Sequence, residues 1–339
     1  MPIRPTWLGQ RRTVSDGPDL SHFVQHRQLD VYEQSMARQG YAYGVDLRRS
    51  RWLASSTIGN ALVRAVDRAW PELAEHLLEE VLLDSRAAPL KLLRELAAHM
   101  NLLRAPLPTV RVLRPEQRGR WPLVTVLGAT RGAALWLVVD ADALAAVDAD
   151  KRAFLLGAGL GHLQCDHAVY FSAHLLADRR EGNLQIRTLR SAMTPWTKVM
   201  LFSADRAGLI ACGRLETAIS VIENPPIAVG SSGEAADPDP GWLPPVPPPS
   251  VRIRALEEFA RSSVFARITA MRARQRELAR NVTLLERNSR TAAADGLTTG
   301  GERPPETDTT ETSESIHVPA DAWPLARVDA RLTARLNLI

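Results

Sequence analysis

DKRAFLLGAGLGHLQCDHAVYF, residues 150–171, is the stretch on which the reading of this chain turns. It is apolar for most of its length, has no proline and shows no two-residue alternation. That pattern predicts a helix running from about Asp150 to Ala177. Gly157, Gly159 and Gly161 lie inside it. A phosphate-cradling glycine loop joins a strand to the start of a helix, whereas these glycines sit within a helical run, which argues against nucleotide binding. Each costs a helix about 1 kcal/mol relative to alanine. Their expected role is to let a neighbouring element pack closely. On a continuous helix His162 and Asp166 are one turn apart, as are His174 and Asp178, while His162 and His167 diverge by about 140°. His167 and His174 are therefore expected to be half-exposed. His162 is expected to be a core histidine bonded to Asp205 or to a backbone carbonyl.

Upstream, apolar residues recur at helical spacings from Leu20 to about Met100, predicting a helical cap. Pro106 and Pro108 end it. Thr109 to Leu113 alternates as a strand does. Leu123–Leu127 and Ala134–Val139 are Val-rich runs separated by Gly128 and Gly132, a hairpin pattern. Downstream, a helix is predicted from Pro195 to Ile222. Asn224 to Ser250 is rich in Pro, Gly, Ser and Asp and reads as an extended excursion. Helical spacing resumes from Arg252 to about Arg287. Ser289 to Ser315 has almost no large apolar residue and is expected to be disordered. At the end, Leu325, Val328, Leu332, Leu336 and Ile339 form one helical stripe. That segment either folds back on the main domain or serves as a tethered docking element.

The predicted fold is α+β and mostly helical, with a small β-sheet beside the helix of residues 150–171. The predicted organisation is an irregular and helical segment 1–50, a main domain 51–275 with the Pro-rich excursion 224–250, a helix extension 276–288, a disordered linker 289–317 and an amphipathic segment 318–339.

Composition limits the function classes. The chain has 339 residues, 45% of them hydrophobic, and a formal net charge of +4. Lys91, Lys151 and Lys198 are its only lysines, so its basic side chains are nearly all Arg, and no basic run is interleaved with aromatics. This argues against nucleic acid as a partner. Cys165 and Cys212 are not in a C-x-x-C pair, so neither a disulfide framework nor a thiolate zinc site is expected. No stretch approaches the roughly 20 apolar residues of a membrane helix, and the first nine residues lack a signal-peptide core. The expectation is a cytoplasmic protein. Ser203 lacks a nucleophile-elbow pattern and is given no role as a nucleophile.

Ala158-Gly159-Leu160-Gly161-His162 stands in the frame of H-E-x-x-H, in which two His one turn apart share a zinc ion and the Glu polarises the attacking water. The surroundings strengthen the likeness. Leu137-Val138-Val139-Asp140, Ala143-Leu144 and Val147 to Lys151 precede the frame, and Gly161-His162-Leu163-Gln164-Cys165-Asp166-His167 closes it. Ser203-Ala204-Asp205-Arg206-Ala207-Gly208-Leu209 follows, and Pro249 to Leu256 (PSVRIRAL) comes later. Over about residues 50–275 the chain resembles the HtpX-type and CAAX-prenyl-protease-type zinc metalloendopeptidase family.

That resemblance implies a zincin-like domain, but one with lost zinc ligands. Ala158 stands at the first ligand position, Gly159 at the general base and Leu201 at the Glu ligand, while Pro248 replaces a His before PSVRIRAL. Only His162 is retained, with Asp205 as the residue expected to orient a His beside the metal. Catalytic zinc takes three protein ligands, so no metal or other cofactor is expected. The implied function is that of a pseudopeptidase retained as a protein- or peptide-interaction scaffold. The alternative is an active zinc endopeptidase with a non-standard site around His162. The family's edge strand pairs with extended substrate, which makes the strand of Leu135, Leu137 and Val139, or its hairpin mate, the candidate peptide-binding element.

Overall fold

The computed structural model describes residues 35–129, 135–179, 184–226, 242–275, 277, 280 and 318–337. In chain order its main elements are α1 (Gly44–Ser55), α2 (Thr57–Glu80), β1 (Leu82–Leu83), α3 (Leu90–Leu103), β2 (Thr109–Leu113), β3 (Val124–Leu127), β4 (Trp136–Val139), α4 (Ala141–Ala146), α5 (Ala149–Gln164), α6 (Ala168–Arg179), α7 (Leu184–Cys212), α8 (Leu215–Glu223), α9 (Pro249–Ala260) and α10 (Leu325–Arg335). The chain is thus α+β and mostly helical, with one small sheet. No helix among the described residues is long and apolar enough to cross a membrane. The expected linker 289–317 and the middle of the Pro-rich excursion lie outside the described residues, as do residues 1–34 and most of 276–288.

Local chemistry places the helix starts. Ser56 accepts a hydrogen bond from the Gly59 N–H, Asp140 from Ala143 and Asp148 from Asp150, each satisfying an orphan donor of a first turn. The Val-rich runs pair as the predicted hairpin, with β3 antiparallel to β4. The sheet order is β1-β2-β4-β3, and β2 runs parallel to β4. Hence β4 is an inner strand. Leu137 pairs with Val110 on one side and Val126 on the other, and Val139 with Val112 and Val124. The Leu135 carbonyl just before it already accepts from Thr109 N–H at 2.7 Å. Leu135, Leu137 and Val139 therefore cannot receive a peptide by strand addition. The outermost strand is the hairpin mate, β3, whose Val126 and Leu127 are buried and which packs on α6.

Helix α5 is buried on almost every side and occupies the centre of the molecule. One face lies on the sheet. A Cβ at Gly159 would come within 2.7 Å of Val124 Cγ1 and 2.9 Å of Leu137 Cδ1. The opposite face lies on α7, where Gly157 and Gly161 leave no room even for a methyl group. A Cβ at Gly157 would sit 2.3 Å from Ala211 Cβ and 2.9 Å from the Ala207 carbonyl, and one at Gly161 would sit 2.5 Å from Ala207 Cβ. Gly208 repeats the arrangement from α7, its added Cβ falling 2.8 Å from the Phe154 carbonyl. The helix-breaking glycines are thus a packing seam between two central helices.

The helix predicted to run from Asp150 to Ala177 is in fact two. Gln164 ends α5, Cys165 caps it, and Asp166 turns the chain with a left-handed φ of 61°. Asp tolerates that region better than most residues, because its short polar side chain bonds locally. The His167 N–H closes the elbow on the His162 carbonyl at 2.9 Å. The break carries His167 and His174 into the core, where they are 0% and 2% exposed rather than half-exposed.

The core also reaches beyond the predicted boundary at residue 51. Tyr41, Tyr43 and Asp46 are buried in it. The C-terminal stripe folds back: Val328 and Leu332 are fully buried, and α10 packs on α1 and α9. Asp329 forms an ion pair with the buried Arg206 at 2.8 Å, while Arg331 and Arg335 both reach Glu258. Val328 and Leu332, at the middle of the stripe, are therefore covered by the chain's own domain.

The seam makes a direct prediction. Gly157→Ala gains about 1 kcal/mol of helix propensity, yet it must separate two helices whose contacts include backbone atoms, an overpacking cost of about 1–3 kcal/mol or more. It should lower the urea midpoint. Gly40→Ala, in a helical position with nothing within 4 Å of the new Cβ, should leave the midpoint unchanged or raise it.

Candidate functional site

Four segments meet behind the elbow. Helix α1 brings Asp46, the end of α5 brings His162 and Cys165, the elbow brings His167, and α7 brings Ser203. All are buried. The Ser203 hydroxyl donates to Asp46 Oδ2 at 2.5 Å and accepts the Tyr43 N–H at 3.0 Å. His167 Nε2 lies 3.2 Å from Asp46 Oδ1. Its Nδ1 lies 2.9 Å from Nδ1 of His162, so one hydrogen is shared between the two rings. The result is a chain from carboxylate to imidazole to imidazole, which makes Asp46–His167–His162 one hydrogen-bonded unit. Phe171 meets the His162 ring edge-on at 5.0 Å between centroids.

Burial sets the protonation of this cluster. It holds His162 well below the usual imidazole range, with His167 and then Arg252 adding to the effect, so His162 is neutral at pH 7. Burial also pushes the Cys165 thiol up, aided by the Asp46 carboxylate. Tyr41 and Tyr170 are raised for the same first reason. Nucleophilic serine catalysis needs a His between Ser and carboxylate. Here Asp46 lies between Ser203 and His167, so no His stands between the Ser203 hydroxyl and the carboxylate.

His162 also borders a cavity of about 220 Å³. Val124 and Thr125 of β3 form one wall, and Ala158, Gly159 and His162 of α5 form the floor. Leu201 and Asp205 come from α7, and Leu243 to Val246 of the Pro-rich excursion close the far side. Trp242 anchors that excursion against Trp121, with ring centroids 4.9 Å apart. Asp205 does not bond His162. Arg252 holds it with two hydrogen bonds, Nε to Oδ2 at 2.9 Å and Nη2 to Oδ1 at 2.7 Å. Burial opposes the charge on Arg252, but the Asp205 pair outweighs it and raises the guanidinium pKa. The expected partnership of His162 with Asp205 is thus replaced by two separate pairs, His162 with His167 and Asp205 with Arg252.

The zinc centre that the resemblance implies does not fit these residues. Ala158 and Leu201 carry no donor atom, which leaves His162 alone where three protein ligands are needed. Asp205 has both oxygens committed to Arg252. Among the described residues, the group of three or more metal-capable side chains with converging ligand atoms is instead Asp46, Cys165 and His167, whose atoms lie within 4.8 Å of one another.

Sequence reasoning reached Ala158, Gly159, His162, Leu201 and Asp205, which the structure brings together at one cavity. It missed Asp46, which no local motif marks, and His167, which a continuous helix would have turned away. The signal for His167 was Asp166, a residue type suited to a left-handed elbow. Arg252 lay within the PSVRIRAL run without an assigned role. In comparisons with known proteins, no protein-family model, no curated protein and no solved structure matches the chain.

Proposed function

We propose that this protein is a zincin-like scaffold that has lost its hydrolytic centre and holds a peptide instead of cleaving it. One observation carries the reading. Likeness to zinc peptidases picks out Ala158, Gly159, His162, Leu201 and Asp205 from two segments some forty residues apart in sequence. These residues line a single cavity beside β3, the outermost strand of the sheet, at whose start Val124 is partly exposed.

The mode of binding follows from the register. The Asp140 N–H donates to the Leu123 carbonyl, which sets the β3–β4 ladder on residues 123, 125 and 127. Val124 and Val126 therefore turn their backbone groups away from β4. Gly128 does the same, and its N–H goes to Ser172 on α6. A peptide strand added at Val124 lies along the cavity and places an apolar side chain between Ala158 and Leu201.

Two outcomes are expected. The double variant Ala158→His with Leu201→Glu restores three ligands around His162. It should bind about one zinc per chain more than the parent, measured by elemental analysis after dialysis against zinc. An unchanged zinc content in a folded double variant would contradict the zincin-like geometry. Separately, Val124→Pro removes an outward N–H without touching the β3–β4 ladder. It should weaken binding of fluorescein-labelled decapeptides with a central Leu or Phe about tenfold, read by anisotropy. Equal affinity in the two proteins would exclude strand addition at β3.

A further inference from the structure

We infer that Asp46, Cys165 and His167 form a binding site for a divalent transition-metal ion, with zinc the ion their donor set fits. The three side chains offer one carboxylate oxygen, one sulfur and one imidazole nitrogen, with all ligand atoms within 4.8 Å of one another. That mixture of donors is characteristic of zinc, whereas hard ions such as calcium and magnesium take oxygen alone. The charges balance. A carboxylate, a thiolate and a neutral imidazole carry two negative charges, which a divalent cation cancels, so the loaded site is neutral in a region with no solvent access. Loading displaces the thiol proton of Cys165 and any proton on His167 Nε2 to water.

The surroundings are those of a built site. Asp46 Oδ2 is fixed by the Ser203 hydroxyl at 2.5 Å, and His167 Nε2 lies 3.2 Å from both carboxylate oxygens. His167 presents Nε2 to the cluster, while its Nδ1 is held by His162 at 2.9 Å. A hydrogen bond to the second ring nitrogen is how ligating histidines are oriented. Cys165 and His167 flank Asp166, whose left-handed φ of 61° bends the chain so that both side chains reach Asp46. Backbone strain of this kind persists where the surroundings enforce it. The inference does not rest on the peptidase-like reading, because none of the three residues stands at a ligand position of that family.

The ion enters as the chain folds, since all three ligands are buried. The full chain is therefore expressed in zinc-supplemented medium, purified without chelator and analysed for metal. About one zinc per chain is expected, with loss of most of it in Cys165→Ser and in His167→Ala. Refolding the parent chain from denaturant with Co²⁺ provides a second reading that needs no variant. It should give a near-ultraviolet thiolate-to-cobalt charge-transfer band. That band separates this site from the one rebuilt at Ala158 and Leu201, which has no sulfur donor. A parent chain with negligible zinc and no cobalt band overturns the inference, as does zinc that survives both single substitutions.

Discussion

The close contact between α5 and α7 is the constraint on which the rest of the molecule depends. Two helices approach through Gly157, Gly161 and Gly208, at positions where a single added methyl meets a side chain or a carbonyl of the neighbour. Helices separated by larger side chains stand 8–10 Å apart or more. Closer approach fixes their relative register, because the small residues must face one another. That register carries Ala158 and His162 on one helix to the same cavity as Leu201 and Asp205 on the other. It also brings Ser203 beneath Asp46. The glycines weaken the helix locally, and the packing they permit is what positions both the cavity and the buried polar cluster.

Much of the architecture was legible because it rests on local pattern. The alternation and Val content of residues 109–113, 123–127 and 134–139 mark strands, and the glycines between the last two mark a hairpin. Strand order was not legible. Nothing in the sequence says that β2 joins β4 in parallel, so the inner and outer strands of the hairpin could not be told apart. The elbow at Asp166 was hidden for a different reason. Apolar residues resume at Ala168 after the short polar run around Asp166, and periodicity does not report a turn made by one residue with positive φ. The exposures expected of His167 and His174 went wrong with it. Asp46 lies in a helix with little apolar periodicity, and its burial depends wholly on long-range packing.

The buried polar cluster separates two kinds of chemistry. The cavity around His162 is walled by apolar side chains, and its one carboxylate is neutralised by Arg252. Removing either partner of such a buried pair leaves an uncompensated charge, a loss of about 3–5 kcal/mol. The pair therefore braces α7 against α9, and Asp205 is not free to direct a metal ligand. Behind the cavity, His162 belongs to the chain that ends on Asp46. Its single link to the cavity is an imidazole held neutral by burial. The cavity lies beside β3, the outermost strand of the sheet. Its lining does not offer the three converging protein ligands that a catalytic zinc takes.

The most direct measurement is hydrolysis of an unfolded protein substrate, such as reduced and alkylated casein, by the purified full chain with zinc present. The account predicts no cleavage above the rate without protein, with or without a chelator. Cleavage that a chelator suppresses and His162→Ala abolishes would contradict it, and would place a working metal centre in the cavity.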